Sequence, residues 1–104
     1  MYIFNTTFNI DLSVIEESKI KIENDFIPSI LETGLFNKAI FTEVLTQDGT
    51  EGKTYSLQLF CPSHSHFMQY KKFHETYFAE LAKPYNGKLV YFQTLMEIVS
   101  VKST

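Results

Sequence analysis

The sequence predicts one α+β domain, a four-stranded antiparallel sheet with two helices on one face. Two observations support this prediction. Four segments of the 104-residue chain alternate between apolar and polar side chains with the two-residue period of a strand, and two longer segments repeat apolar residues with helical spacing. Their order is β-α-β-β-α-β, which is the split βαβ arrangement. The predicted fold class is therefore ferredoxin-like.

The first half of the chain contains one strand and one helix. They are predicted over residues 2–10 and 13–32. Ser13 and Glu16 have the spacing of a capping box, in which each side chain accepts a hydrogen bond from the other's backbone N–H. Pro28 lacks a backbone donor, so the helix is expected to kink near Asn24.

The second half of the chain contains three strands and one helix. The strands are predicted over residues 38–47, 53–61 and 88–99, and the helix over residues 63–83. The apolar stripe of this helix is expected to consist of Phe67, Tyr70, Phe73, Tyr77 and Leu81. A hairpin is predicted at Asp48-Gly49-Thr50-Glu51-Gly52, because its glycines can adopt positive φ. Residues 1–99 are therefore expected to form a single domain, and residues 100–104 a tail.

The two-residue alternation assigns strand side chains to two faces. The face expected beneath the helices carries Phe4, Phe8, Val44, Leu57, Leu59, Phe92, Met96 and Ile98. The other face is expected to carry Ile3, Asn5, Thr7, Asn9, Phe41, Glu43, Leu45, Ser56, Gln58, Phe60, Tyr91, Gln93, Leu95 and Glu97. This second set is too apolar for a solvated surface and too polar for a core. We therefore expect a homodimer with facing sheets, a dimeric α/β barrel.

Apolar walls that carry a few polar groups are typical of small-molecule pockets. The candidate ligand-binding residues between the sheets are Asn5, Phe41, Glu43, Gln58, Tyr91 and Gln93. The favoured function is a small-molecule-binding or accessory homodimer. Two alternatives stay open: a cofactor-free monooxygenase- or isomerase-like enzyme with a histidine or Glu43 as base, and a protein–protein interaction module. No cofactor is predicted.

Cys61, His64 and His66 have the side-chain types that bind zinc. Three ligands with this spacing match no structural zinc template, so no metal site is predicted. A thiolate–imidazole pair is a second hypothesis, but no third residue is evident to orient it. The favoured interpretation of Cys61 is a small apolar side chain packed in the core.

Charge and composition exclude several classes of function. The chain has nine basic residues, all lysine, against twelve acidic ones, for a net charge of −3. Nucleic-acid binding needs a basic surface, and the arginine fork that suits phosphate is absent. No apolar run approaches the ~20 residues of a membrane helix, and no signal peptide is evident. The single cysteine favours a reducing compartment, so a cytoplasmic location is expected.

Several sequence blocks resemble a family of small bacterial proteins known as domain of unknown function 4286. The matching blocks are Asn9-Ile10-Asp11, Pro28-Ser29-Ile30-Leu31-Glu32-Thr33-Gly34-Leu35-Phe36, Tyr55-Ser56-Leu57-Gln58 and Phe92-Gln93-Thr94-Leu95-Met96-Glu97-Ile98-Val99. This resemblance implies a stand-alone cytoplasmic protein of ferredoxin-like type, and it implies no activity. In outline the chain is also similar to dimeric α/β barrel proteins, which include small-molecule monooxygenases and ligand-binding modules.

Overall fold

A computed structural model describes residues 1–45 and 51–104. Its four strands are β1 (Tyr2–Asp11), β2 (Lys38–Val44), β3 (Gly52–Cys61) and β4 (Leu89–Glu97). Their spatial order is β2-β3-β1-β4, and each neighbouring pair is antiparallel. The predicted sheet is confirmed. Residues 46–47 of the predicted second strand and residues 48–50 of the predicted hairpin lie outside the described residues.

The first helical segment begins at Leu12, one residue before the predicted start. It consists of a 3₁₀ turn (Leu12–Val14), α1 (Ile15–Lys21), a π-helical turn (Ile22–Phe26) and α2 (Ile27–Glu32). The Asp11 carboxylate caps the segment by accepting hydrogen bonds from the Ser13 hydroxyl at 2.7 Å and the Ser13 N–H at 2.9 Å. These bonds lower the pKa of Asp11 below its ordinary value of 3.8. The predicted capping box is wrong, because the Ser13 hydroxyl is bonded to Asp11.

The π-helical turn stands where Pro28 predicts a kink. Proline has no N–H to donate to the carbonyl four residues earlier, so the ladder of helical hydrogen bonds is interrupted there. The Ile27 N–H instead bonds the Ile22 carbonyl, five residues back, which widens one turn. The helix ends at Glu32, and Gly34, two residues on, has a φ of 75° that suits glycine.

The second helical segment is interrupted, so the prediction of one continuous helix is wrong. It consists of α3 (His64–Phe73), α4 (Tyr77–Ala82) and a 3₁₀ turn (Lys83–Tyr85). The Ser63 hydroxyl caps α3 by accepting a hydrogen bond from the His66 N–H at 3.2 Å. The interruption leaves Phe73, expected in the apolar stripe, 65% exposed, whereas Phe78 is buried.

The hydrophobic core lies between the sheet and the two helical segments. Phe78 is its central side chain, with ring centroids 4.7 Å from Phe26, 5.8 Å from Tyr91 and 6.1 Å from both Phe4 and Phe8. Buried and more exposed residues alternate along β1 and β3, because only one sheet face meets the helices. None of the helices in the described ranges is long and apolar enough to cross a membrane.

The cross-strand register reverses the predicted faces of β2 and β4. Directly opposed residues of an antiparallel pair share a face. Phe41 lies opposite the buried Leu57, and Leu89 lies opposite the buried Ile10. The predicted positions beneath the helices are therefore wrong for Val44, Phe92 and Met96, which lie on the other side. The predicted positions on the outer face are likewise wrong for six residues, which lie on the helix side: Phe41, Glu43, Tyr91, Gln93, Leu95 and Glu97.

Gly52→Ala is expected to lower the free energy of unfolding by about 2 kcal/mol. A Cβ at this position would lie 2.5 Å from the carbonyl oxygen of Ile10, and backbone cannot move aside as a flexible side chain does. Urea denaturation followed by circular dichroism measures the loss. An unchanged midpoint would show that the β1–β3 pair can separate here without cost.

Candidate functional site

The candidate site is the sheet surface opposite the helices, called here the open face. Its side chains form four rows, each crossing β2, β3, β1 and β4 in that order. Row one is Val44, Thr54, Asn9 and Val90; row two is Thr42, Ser56, Thr7 and Phe92; row three is Ile40, Gln58, Asn5 and Thr94; row four is Lys38, Phe60, Ile3 and Met96.

The centre of the open face is a set of uncharged, hydrogen-bonded polar side chains. The Ser56 hydroxyl donates to Asn5 Oδ1 at 2.7 Å, and Asn5 Nδ2 donates to the Thr7 hydroxyl at 3.3 Å. Beside them the Thr54 hydroxyl donates to Asn9 Oδ1 at 2.9 Å. These groups already hydrogen-bond one another. Most of their polar atoms would therefore keep a partner if a second surface covered the face and displaced water from it.

Apolar side chains border this polar centre on both edge strands. Phe92 is 59% exposed, and Val90 and Met96 are exposed beside it on β4. On the other side Val44 of β2 is exposed and Ile40 is half-buried. Exposed apolar surface of this kind is typical of an interface.

The open face carries little charge. Lys38 is the one ionisable side chain in the four rows, and it lies at a corner of the face. Its ammonium group is 5.2 Å from the centroid of the Phe60 ring, a distance at which the cation is attracted to the ring. The open face therefore offers hydroxyl and amide groups, rather than an ion pair, to whatever covers it.

Two of the six predicted ligand-binding residues lie on the open face. Asn5 and Gln58 are direct cross-strand neighbours in the third row. Both lie on the sheet face to which the alternation assigns them, and their role in binding stays a prediction.

The other four predicted ligand-binding residues lie on the helix side, so their predicted position is wrong. On β2, Phe41 stacks on the Tyr55 ring at a centroid distance of 5.4 Å. Glu43 lies 3.9 Å from the Lys53 ammonium group. Burial, followed by the nearby Glu43 carboxylate, raises the pKa of Tyr55. Glu43 is therefore part of a cluster at the edge of the core.

The two residues of β4 support the core in the same way. Tyr91 packs against Phe8 and Phe78, with ring centroids 6.3 and 5.8 Å apart. Gln93 Nε2 donates to the hydroxyl of Thr6 at 3.1 Å. Thr6 is fully buried, so this bond satisfies a polar group that would otherwise be costly inside the protein.

The sequence prediction missed the apolar β4 residues of the open face, chiefly Phe92. Both alternating sets of β4 contain large apolar side chains, so the pattern alone does not choose between them. No residue of the sequence orients the two sets. In the structure Leu89, the first residue of β4, is buried, and counting inward positions from it places Tyr91 inside and Phe92 outside.

Cys61, His64 and His66 do not meet at a common point. The Cys61 side chain is buried, its thiol donates to the Ser63 carbonyl at 3.2 Å, and burial raises the pKa of the thiol. His66 Nδ1 is hydrogen-bonded to the Ser63 hydroxyl at 2.6 Å, and the His64 ring packs on Tyr2 at 5.9 Å. Within the described ranges, no three His, Cys, Asp or Glu residues form a group that could hold a metal ion.

Two cavities lie away from the centre of the open face. One, of about 400 Å³, is at the end of the sheet and is lined by Asn9, Ile10, Asp11, Glu51, Gly52, Lys53, Thr54, Gly87 and Lys88. It touches the open face at the first row only. The other, of about 410 Å³, is a groove between the helical segments, with Phe26, Tyr77 and Leu81 among its lining residues.

Solved structures with the same architecture include proteins of different descriptions. A dimeric ferredoxin-like protein from an uncultured marine organism has a TM-score of 0.66 at 12% identity, over 100% of both chains. HapK from Hahella chejuensis has a TM-score of 0.68 at 8% identity, over 100% of this chain and 98% of its own. SnoaB from Streptomyces nogalater, a cofactor-independent oxygenase, has a TM-score of 0.63 at 8% identity, over 96% of this chain and 95% of its own.

Sequence identities this low show the fold alone, which is ferredoxin-like as the element order predicts. No curated protein matches the sequence. The sequence model of the family described as Domain of unknown function (DUF4286) matches residues 1–99.

Proposed function

The chain belongs to the family described as Domain of unknown function (DUF4286), and from that premise we propose that it is a small-molecule-binding homodimer. Two copies join through their open faces, and the ligand lies between the sheets. The observation that carries this proposal is the composition of the open face, in which exposed apolar side chains surround a hydrogen-bonded, uncharged centre.

A second copy is the partner that this surface fits best. A twofold axis places the apolar border of one face against that of the other, and a patch that complements itself needs no other protein. The likeness to a protein described as dimeric and ferredoxin-like supports this choice. The internally bonded Asn5, Thr7 and Ser56 can be covered at little cost in unpaired hydrogen bonds.

The chemistry of the centre indicates an uncharged ligand. Asn5 and Gln58 each present an amide, which can both donate and accept hydrogen bonds, and neighbouring hydroxyls extend this surface. Lys38 lies at a corner of the face, with its ammonium group over the Phe60 ring. A flat, neutral molecule with hydroxyl, carbonyl or amide groups would match such a site.

The positions of the ionisable side chains favour binding over catalysis. The enzyme hypothesis needs a general base within hydrogen-bonding reach of the substrate. Glu43, the predicted base, lies on the helix side beside Lys53 and Tyr55. His66 is hydrogen-bonded to Ser63, the residue that caps α3.

The buried thiol of Cys61 suits a reducing compartment, so the proposal places the dimer in the cytoplasm.

Light scattering after size exclusion tests the dimer. At micromolar concentration the mass is expected to be twice the 12.1 kDa of one chain. A mass of one chain at several hundred micromolar would overturn the proposal.

Neutral aromatic fragments that carry a hydroxyl or amide group are expected to shift the NMR signals of the Asn5 and Gln58 side-chain amides. Asn5→Ala removes the acceptor of Ser56 and the donor to Thr7, so binding should weaken roughly tenfold. Gln69→Ala, which removes an exposed amide on α3, is the matched control and should leave binding unchanged. Fragment shifts confined to the helix-side groove would contradict the proposed site.

A further inference from the structure

The groove between the two helical segments, called here the helix-side groove, has a buried apolar floor and charged walls. Its volume is about 410 Å³, which is within the range of cavities that hold small molecules. Phe26 of the π-helical turn and Leu81 of α4 form the floor, since they are only 8% and 4% exposed. The proposed dimer leaves this groove uncovered, because the two copies join on the other face of the sheet.

Aromatic rings form one part of the helix-side groove. Tyr77 of α4 is half-buried, and its ring is edge-on to the Phe26 ring at a centroid distance of 6.5 Å. The Tyr77 ring also contacts the ring of His74, at 5.1 Å. The Phe26 ring is packed against the buried ring of Phe78, at 4.7 Å. The faces of such rings carry partial negative charge, so they attract cations.

The walls of the helix-side groove carry two carboxylates and one ammonium group. Asp25 and Lys21 belong to the first helical segment and Glu80 belongs to α4, so each side supplies one carboxylate. The Lys21 ammonium group already lies 3.9 Å from Asp25. Glu80 accepts a hydrogen bond from the Thr76 hydroxyl at 3.3 Å, and within residues 1–45 and 51–104 it belongs to no ion pair. The groove therefore has an excess of negative charge, and Glu80 can accept further hydrogen bonds.

This combination of floor, rings and charge fits an organic cation. An anion would meet two carboxylates, and the chain has no arginine to bind it. A wholly apolar molecule would displace water from Glu80 without replacing its hydrogen bonds, which is costly. An ammonium group on an aromatic body avoids both problems, because the charge pairs with Glu80 while the body covers Phe26 and Leu81. We propose that the helix-side groove binds a small aromatic amine in its protonated form. This site is separate from the open face and goes beyond the proposed function.

The test is an NMR titration of the wild-type chain with phenethylammonium chloride. The Tyr77 ring signals and the Glu80 backbone amide are expected to shift and saturate. 2-Phenylethanol has a similar body without the charge, so its binding at these signals should be about tenfold weaker. 3-Phenylpropanoate, which is negatively charged, should be weaker still. Absence of shifts at Tyr77 and Glu80 with phenethylammonium, or equal affinity for the alcohol there, would overturn the inference.

Three charge variants then identify the groups that recognise the cation. Glu80→Gln keeps the shape of the side chain and should weaken phenethylammonium binding about tenfold. Lys21→Gln removes the like charge from the groove and should tighten it about threefold. Glu23→Gln makes the same charge change as Glu80→Gln at an exposed residue of the π-helical turn outside the groove, so it is the matched control and should leave binding unchanged.

Circular dichroism should show a native fold for all three variants, since each changes an exposed side chain. Equal effects of Glu80→Gln and Glu23→Gln would overturn the inference, because the total charge of the chain and not the groove would then control binding. Weaker binding by Lys21→Gln would overturn it as well. These outcomes leave the proposed function standing, because the mass of the wild-type chain tests the dimer separately.

Discussion

Phe92→Lys is expected to convert the dimer into a folded monomer. Phe92 is 59% exposed in one copy and projects from the second row of the open face, so a facing sheet would bury it. The variant would bury two unpaired ammonium groups in each dimer, at a cost of about 3–5 kcal/mol each. The dissociation constant should rise more than a hundredfold. Light scattering measures the mass, and circular dichroism confirms that the fold is retained.

Two neighbouring variants make this experiment specific. Phe73→Lys changes a comparably exposed aromatic residue on α3 and should leave the mass unchanged. Tyr91→Lys changes the adjacent residue of β4, which packs on Phe8 and Phe78, so it should destabilise the monomer itself. If Phe92→Lys keeps the wild-type mass, the interface lies elsewhere on the molecule.

Phe78→Ala is expected to give the largest loss of stability, about 3–5 kcal/mol in the free energy of unfolding. The Phe78 ring contacts aromatic rings of α1–α2, β1 and β4, and only 1% of the residue is exposed. Its removal leaves a cavity where these elements meet. The loss is a large fraction of the 5–15 kcal/mol that stabilises a typical domain. Urea denaturation measures it.

Phe73→Ala is the matched control for the core prediction. Both residues are phenylalanines of the second helical segment, but Phe73 is 65% exposed. Its truncation should change the free energy of unfolding by at most about 0.5 kcal/mol. A continuous helix would place Phe73 in the apolar stripe, where its truncation would be costly. Equal losses in the free energy of unfolding for Phe73→Ala and Phe78→Ala would therefore contradict the interruption between α3 and α4.

The central strands could be assigned from their pattern, because they lie between two neighbours and bury one complete set of side chains. In β1, Phe4 and Phe8 alternate with Asn5 and Thr7, and the structure places them as the alternation predicts. Asn5 and Gln58 could be placed on the open face for the same reason. Local signals near helix ends were also readable where they depend on backbone chemistry, as at Pro28.

The edge strands could not be assigned in this way, and most of the predicted site was lost there. β2 and β4 carry large apolar residues in both alternating sets, one set for the core and one for the open face. The interruption between α3 and α4 was equally hidden, because Phe73 and Phe78 both fit an apolar helical stripe. In each case the sequence pattern allows either of two similar side chains to be the buried one. Only tertiary packing determines which of them lies in the core.

The amino-acid sequence by itself determined the order of the elements, the antiparallel sheet and the presence of a second, mixed face, because hydrophobic periodicity depends on local backbone geometry. The tertiary structure alone decided which residues of β2 and β4 compose that face. A two-residue period defines two sets of side chains without orienting them. Pairing with β3 and β1 orients them, because opposed residues of neighbouring strands share a face.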